Sequence, residues 1–392
     1  MTTALPVAST FLGPEARANL LSSLAPHVTA AGFRTDDSPA AAAAPALLIL
    51  TGGTEGDALR LLDAAPSSAP VTLLAHRTHN SLPACLEILA RLQQTGCDGT
   101  IVMLGEADAP PTGDRTAIRP VTDRDCLRGR RLGVIGAPSD WLVASMPDAA
   151  TVATTWGVEL VDVPLAEIMD GLGDVPAESV EPLVADLVDA ADAVIEPAAG
   201  DLRQAAAVLV KLREAAARHR LDACTVRCFD LVTRLRATGC FALSQLNDDG
   251  LIAGCEGDVP AALTMMWLHA RTGETPFMAN PQQVDVAGGR LWISHCTIGR
   301  RLLDGYRVRS HFESGLGVAL EGRVAPQAIT LARIGGTALD QVFVTGGEIV
   351  AGGASPDRCR TQLELRLDAD PGELLRQPLG NHHVMVRGRW TD

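Results

Sequence analysis

Leu251-Ile252-Ala253-Gly254-Cys255-Glu256-Gly257-Asp258-Val259-Pro260-Ala261-Ala262-Leu263-Thr264-Met265-Met266-Trp267 runs from an apolar strand through a tight turn into a helix. Residues 251–255 have strand length. Asp258 suits an N-cap, Pro260 lies in the first helical turn, and Gly273 follows the end of a helix over 259–272. Val259, Ala262, Leu263, Met266, Trp267 and Ala270 recur at helical spacing and read as core packing. Glu256 ends the strand, so its side chain should emerge at the sheet edge. A carboxylate there is costly unless it is paired or bound to a metal. Offsetting the helix macrodipole suits Asp258 better than Glu256.

The same strand–turn–helix order recurs upstream. Apolar runs Val7–Phe11, Ala46–Leu50, Val71–Ala75 and Thr100–Leu104 alternate with helical patterns at about 14–31, 56–64 and 82–94. The Ala-rich stretch Pro39–Pro45 reads as a loop, and the polar stretch Asp108–Arg130 as an interdomain crossing. A second set follows, with strands 131–136, 158–163 and 223–229 and helices near 178–191 and 200–219; Ser139 is expected to cap a helix after the first of these strands. Cys224 and Cys228 fall four apart on one expected strand and read as core thiols. After Thr275 short strands (291–295, 306–311, 329–334, 341–345, 362–367) alternate with Gly-Gly turns and no long helix intervenes. The expected fold is α/β: two doubly wound domains, 1–125 and 126–275, then an antiparallel, barrel-like domain, 276–392.

Composition bounds the function. The 392 residues carry a net charge of −14, and Lys211 is the only lysine. An acidic surface with no basic cluster argues against nucleic acid or anionic membrane as partner. Aromatics make up 3%, so base-stacking platforms are not expected. No apolar run reaches the roughly 20 residues that span a bilayer, and the start lacks the pattern of a signal peptide. Nine cysteines without a C-x-x-C pair read as reduced thiols in a cytoplasmic protein.

Two polar turns sit at strand ends, where open α/β sheets bind ligands. Thr51-Gly52-Gly53-Thr54-Glu55 offers free backbone N–H groups, or is simply a tight βα turn. His76-Arg77-Thr78-His79-Asn80-Ser81 gathers four polar side chains before a helix that Ser81 is expected to cap, and reads as a binding surface. Five of the nine histidines lie beyond residue 260, among them His295, His311 and the pair His382-His383. Carboxylate with imidazole is a ligand mix suited to a divalent ion such as Mn²⁺. The spacing fits neither a zinc ribbon nor H-E-x-x-H, so such a site must assemble across the fold. No G-x-S-x-G elbow, P-loop or dinucleotide fingerprint occurs.

The segment Cys255-Glu256-Gly257-Asp258 through Thr275-Pro276-Phe277-Met278-Ala279-Asn280 resembles the L-fucose/L-arabinose isomerase superfamily. So do Ser294-His295-Cys296, Gly380-Asn381-His382-His383 and the turn His79-Asn80-Ser81-Leu82-Pro83. The resemblance implies a cytoplasmic, metal-dependent aldose–ketose isomerase, a homo-oligomer acting on a sugar or hydroxy-carbonyl compound. Glu256 would be metal ligand and acid/base, and His295 and His382 ligands, the expected metal being Mn²⁺. Asn280 stands where the family places a metal-binding aspartate, and would be a weak ligand or substrate contact. Thr51, Gly52, Gly53, His76, His79, Asn80, Asp258 and His383 would contact substrate, the N-terminal turns reaching a neighbouring subunit's site. An amide cannot take a proton, so the alternative is a catalytically altered or non-catalytic carbohydrate-binding homologue. An NAD-dependent oxidoreductase has only the α/β domains in its favour.

Overall fold

The computed structural model describes residues 1–10, 12–37, 46–64, 69–106 and 116–390. The expected loop 39–45 and the first part of the crossing, 108–115, lie outside them, as does Phe11. Strands β1 (Thr2–Val7), β2 (Phe33–Thr35), β3 (Ala46–Ile49), β4 (Val71–Ala75) and β5 (Gly99–Met103) form a parallel sheet in the order β2-β1-β3-β4-β5. Helices α1 (Pro14–Ala30), α2 (Glu55–Ala64) and α3 (Ser81–Gln94) alternate with these strands. β3 is buried along its whole length, as a strand covered on both faces must be. The strand expected from Val7 instead ends there. Its polar start, Thr2-Thr3, hides a strand that buries Ala4, Pro6 and Val7.

After β6 (Ile118–Pro120), strands β7 (Arg131–Ile135) and β8 (Glu159–Val163), the two-residue β9 (Ala193–Val194), β10 (Ala223–Val226) and β11 (Ile252–Cys255) follow. Four of these make a second parallel sheet, β11-β10-β7-β8. Its helices are α4 (Ala149–Trp156), α5 (Ala166–Met169), α6 (Ala177–Asp189), α7 (Ala199–His219), α8 (Cys228–Leu235), α9 (Cys240–Asp248) and α10 (Val259–Thr272). α10 is as the sequence predicts: Asp258 accepts a hydrogen bond from the Ala261 N–H at 2.7 Å, and Gly273 closes the helix in the left-handed region. It is buried on all sides from Val259 to Leu268, beyond the single stripe, because it packs on both β11 and the barrel described next.

Strands β12 (Phe277–Asp285), β13 (Arg290–His295), β14 (Gly305–Arg309), β15 (Ala319–Arg323), β16 (Ala328–Gly335), β17 (Gln341–Gly353), β18 (Thr361–Leu367) and β19 (His383–Arg387) complete the chain with the one-turn helix α11 (Glu373–Arg376). Six of them close an antiparallel barrel, β16-β19-β12-β13-β18-β17, with β17 pairing back onto β16. β6 extends this sheet at β17, so residues read as part of a crossing become a strand. β12 escapes a reading of alternation because Pro281 interrupts Asn280, Gln282 and Gln283. The chain absorbs the proline at an irregularity in register between Pro281 and Gln283.

Three local expectations are corrected. No helix follows Ser139: Gly136 and Ala137 have positive φ and Pro138 comes next, so the chain turns until Asp148 caps α4 by accepting from the Thr151 N–H. Ser81 is the first residue of α3 and not its cap; its hydroxyl donates to the Ile49 carbonyl at 2.5 Å and accepts from the His76 N–H at 3.0 Å. Cys228 opens α8 instead of sharing a strand with Cys224. Cys228, Leu231, Val232 and Leu235 follow helical spacing, which the Thr-Val-Arg-Cys-Phe run before them obscures.

The turn 136–139 presses on the turn after β11. The Ser139 N–H donates to the Glu256 carbonyl at 2.8 Å, and Gly257, at φ +77°, leaves no room beside it. A Cβ there would meet Pro138 Cα at 2.5 Å and the Ala137 carbonyl oxygen at 2.6 Å. Gly257→Ala is therefore expected to lower stability by roughly 2–4 kcal/mol through strain and overpacking. Urea unfolding of the variant checks this, and parental stability would refute the close approach.

Candidate metal centre

Glu256 directly follows β11 in a left-handed conformation, φ +64°, uncommon for a residue with a Cβ. This aims its side chain back across the sheet edge. One carboxylate oxygen, Oε2, accepts from Trp141 Nε1 at 2.5 Å; the other, Oε1, lies 3.6 Å from His382 Nε2. His295, at the end of β13, sets its ring edge-on to His382 with centroids 5.7 Å apart. Its Nδ1 lies 2.8 Å from the Thr297 hydroxyl. Ligand atoms of Glu256, His295 and His382 all fall within 4.8 Å of one another, making the one such group among the described residues. His382 Nε2 is buried without a hydrogen-bond partner. An orphaned imidazole nitrogen facing a carboxylate and a second imidazole fits a divalent cation.

Behind this group stands a buried polar chain. His382 Nδ1 donates to Asp258 Oδ2 at 2.9 Å, fixing which nitrogen faces the cavity. Asp258 is held by Arg333 Nη1, at 2.9 and 3.0 Å to its two oxygens. Arg333, His382 and Asp258 side chains are 0% exposed. Arg333 also donates to the His382 carbonyl at 3.1 Å and to Ser145 Oγ at 2.7 Å. Ser145 donates in turn to Glu87 of α3 at 2.6 Å, and Glu87 accepts from the Asn381 N–H at 2.8 Å.

Burial alone would raise the Glu256 carboxyl, yet attraction to His382 and the Trp141 hydrogen bond hold it below the ordinary carboxylate value. Burial works against the charged form of His382, but the negative charge of Glu256 and the bond to Asp258 outweigh it and raise its pKa to about 9. Burial, reinforced by the positive charge of His382, lowers His295 to about 4.

A narrow enclosed cavity of about 30 Å³ opens on Glu256, His295 and Asn280. Asn280 Oδ1 accepts from Asn381 Nδ2 at 2.7 Å, so its oxygen is engaged within the protein. Asn80 reaches this cavity from the N-terminal sheet of the same chain and donates to Glu313 Oε1 at 2.6 Å. Glu313 is exposed at the mouth of the cavity. The protein around it still displaces enough water to raise its carboxyl above the ordinary range, and the charge of Glu256 adds to this. Cys228, Cys240, Cys255, Cys296 and Cys359 form part of the wall, all free thiols. Glu313 and this thiol wall are not legible in the sequence; the one available signal is the run His311-Phe312-Glu313 after a strand.

The other expected contacts lie elsewhere. Asp258 stands behind His382 and away from the cavity. His383 points its Nδ1 at the Asn381 carbonyl and its ring at Phe343, 5.5 Å between centroids. His76 is buried with both nitrogens engaged, by the Leu50 carbonyl and the Thr78 hydroxyl. His79 Nδ1 also faces Thr78. Thr51 accepts from the Ser9 N–H, and Gly52 packs on Asn80 with its N–H on the His79 carbonyl. Gly53, at φ +73°, has open space around it.

No protein-family model matches the chain. It is distantly homologous to sulfoquinovose isomerases. That of Alkalicoccus urumqiensis is 25% identical over 217 residues, 54% of this chain and 49% of that protein. Those of Priestia aryabhattai and Priestia megaterium are each 27% identical over 123 residues, 30% of this chain and 28% of theirs. The chain thus matches about half, or less, of the length of these curated relatives. These relatives are sugar isomerases, as the expected likeness implies, but none of those named is a fucose or arabinose isomerase. A D-threo-3-hydroxyaspartate dehydratase from Delftia sp. HT23 aligns over 99% of this chain and 83% of its own at 11% identity, but with a TM-score of 0.13 it carries no argument. No helix among the described residues is long and apolar enough to cross a membrane.

The protonation states give a test. A metal needs the lone pair of His382, which is protonated at pH 7 in the metal-free protein. His295 is already neutral and Glu256 already ionised. Binding of Mn²⁺ at pH 7 is therefore expected to expel about one proton, with affinity rising roughly tenfold per pH unit through neutrality and levelling off above His382's pKa. Calorimetry in two buffers of different ionisation enthalpy measures the proton count, and binding without proton release would contradict this assignment.

Proposed function

We propose that the protein is a divalent-metal-dependent aldose–ketose isomerase acting on a sugar. The observation that carries the reading is the convergence of Glu256, His295 and His382, with the orphaned His382 Nε2 between two anionic or neutral donors. Distant homology to sulfoquinovose isomerases supports it. Glu256, His295 and His382 would hold the ion, Mn²⁺ by the carboxylate–imidazole ligand mix, with Asn280 a substrate contact or weak ligand. When bound, the metal would polarise the carbonyl and adjacent hydroxyl of the substrate.

Moving a proton between C1 and C2 through an enediol needs a base on one face and an acid to complete the transfer. Glu256 is one such group. Asn280 cannot be the other, and we assign that role to Glu313, the second carboxylate at the cavity. Its carboxyl is raised above the ordinary range, which favours the protonated form an acid needs, and Asn80 orients it. His382 keeps its Nε2 directed inward because Asp258 holds the opposite edge of the ring. The free cysteines fit a reducing cytoplasm. Assembly as a homo-oligomer rests on the family resemblance alone.

The second reading, a carbohydrate-binding homologue without turnover, draws on the neutral Asn280. Proton NMR of an aldose panel in D₂O with Mn²⁺ separates the two. Exchange of the C2 proton is expected for the parent. In Glu313→Gln it should fall by roughly 10²–10⁴-fold while Mn²⁺ affinity is kept. Full exchange in that variant would remove Glu313 from the mechanism, and metal binding without exchange on any aldose would favour the second reading.

A further inference from the structure

Beside the turn 76–80 lies an open groove of about 440 Å³ whose lining includes Arg77, Arg358, Trp292, Gln283, Ser355 and Asp357. Arg358 is only 6% exposed. Its guanidinium is pinned on two sides: Nε donates to the Arg77 carbonyl at 2.9 Å, and Nη2 donates to Gln283 Oε1 at 2.7 Å. It also stacks over Trp292, 5.3 Å from the ring centroid. Among the described residues no carboxylate lies within ion-pair distance of Arg358 or of Arg77. The nearby negative groups are Asp357 on the groove wall and Glu106, which accepts from Gln283 Nε2 at 2.7 Å; both attract Arg358 without forming an ion pair with it.

A buried guanidinium with neutral partners is an expensive arrangement, since charges taken out of water are ordinarily paired. Burial, with the repulsion of Arg77, lowers Arg358 to about 10, and the attraction of Asp357 and Glu106 offsets this only in part. The setting sharpens the point. On a chain of net charge −14, two unpaired arginines on one groove are not part of a general basic surface. The stacked, doubly hydrogen-bonded guanidinium is also preorganised, so little rotamer entropy is lost when its remaining donors engage a ligand.

We propose that this groove is an oxyanion site, binding the sulfonate or phosphate group of a small molecule between Arg358 and Arg77. Arg358 provides the fixed, planar donor edge. Exposed Arg77 closes from the solvent side, and Trp292 with the glycine-containing strand end at 353 forms an apolar floor for the carbon skeleton. The site stands on the groove itself, independent of the isomerase reading. The two regions are nonetheless adjacent in the chain: Arg358 and Cys359, and Thr78 and Asn80, each divide between groove and metal-centre cavity.

The test uses the full chain and simple probes at low ionic strength. Methanesulfonate and inorganic phosphate are titrated calorimetrically, with neutral dimethyl sulfone as control. One or both anions should bind and the sulfone should not; tighter methanesulfonate points to a sulfonated ligand and tighter phosphate to a phosphorylated one. Arg77→Gln alters an exposed side chain and should fold normally, and it should weaken the anion at least fivefold. Arg358→Gln should weaken it at least tenfold. Arg60→Gln, remote on α2 and paired with Asp57, should change nothing. The site is overturned if neither anion binds at millimolar concentration, or if Arg60→Gln weakens binding as much as Arg77→Gln.

Discussion

The buried contact between Arg333 and Asp258 is the constraint on which the centre depends. Arg333 comes from barrel strand β16, Asp258 from the N-terminus of α10, His382 from the segment before β19, and Ser145 and Glu87 from the second and first α/β regions. Both α/β regions and the barrel therefore contribute to one hydrogen-bonded chain without access to water. Such a pair is weak evidence for stability, because desolvation offsets its attraction. Removing one partner nevertheless leaves an uncompensated charge and costs about 3–5 kcal/mol. Its effect is to fix the register of β16 against the start of α10, elements that also pack on one another.

That fixed register creates the chemistry. Asp258 caps α10 with one oxygen and orients His382 with the other, so the strand-to-helix turn holding Glu256 and the loop holding His382 cannot drift apart independently. Arg333 also grips the His382 carbonyl, setting the backbone as well as the ring. What remains is a nitrogen without a partner facing a carboxylate, a local cost that ion binding would relieve. Hydrogen-bonded support behind a ligating histidine is the usual way a protein sets its direction and basicity.

The sequence showed the strand–helix unit around Glu256 clearly, because apolar run, cap, proline and terminal glycine all agree there. His295 and His382 were visible through family resemblance and the chemistry of their side chains, since 39 residues or more separate each from Glu256. Arg333 is not legible at all: in Ile329–Ile334 it looks like a solvent-facing strand residue, and it is buried by α10, the segment carrying Ser145 and the segment before β19, all distant in sequence. Glu313 was missed for the opposite reason, as it sits on a loop whose position depends on contact with Asn80, 233 residues away. Local signals specify turns and caps; they carry no information about which distant polar groups will meet. β12 and α8 fall between these cases, with Pro281 masking a strand and a helical spacing hidden behind a β-branched run.

The most direct measurement is anomalous scattering from crystals grown with Mn²⁺. The account predicts one strong peak bounded by Glu256, His295 Nε2 and His382 Nε2, at distances of about 2.0–2.3 Å, with Asp258 on His382 Nδ1. A metal bound elsewhere, or His382 Nε2 still directed at protein alone in metal-soaked crystals, would contradict it.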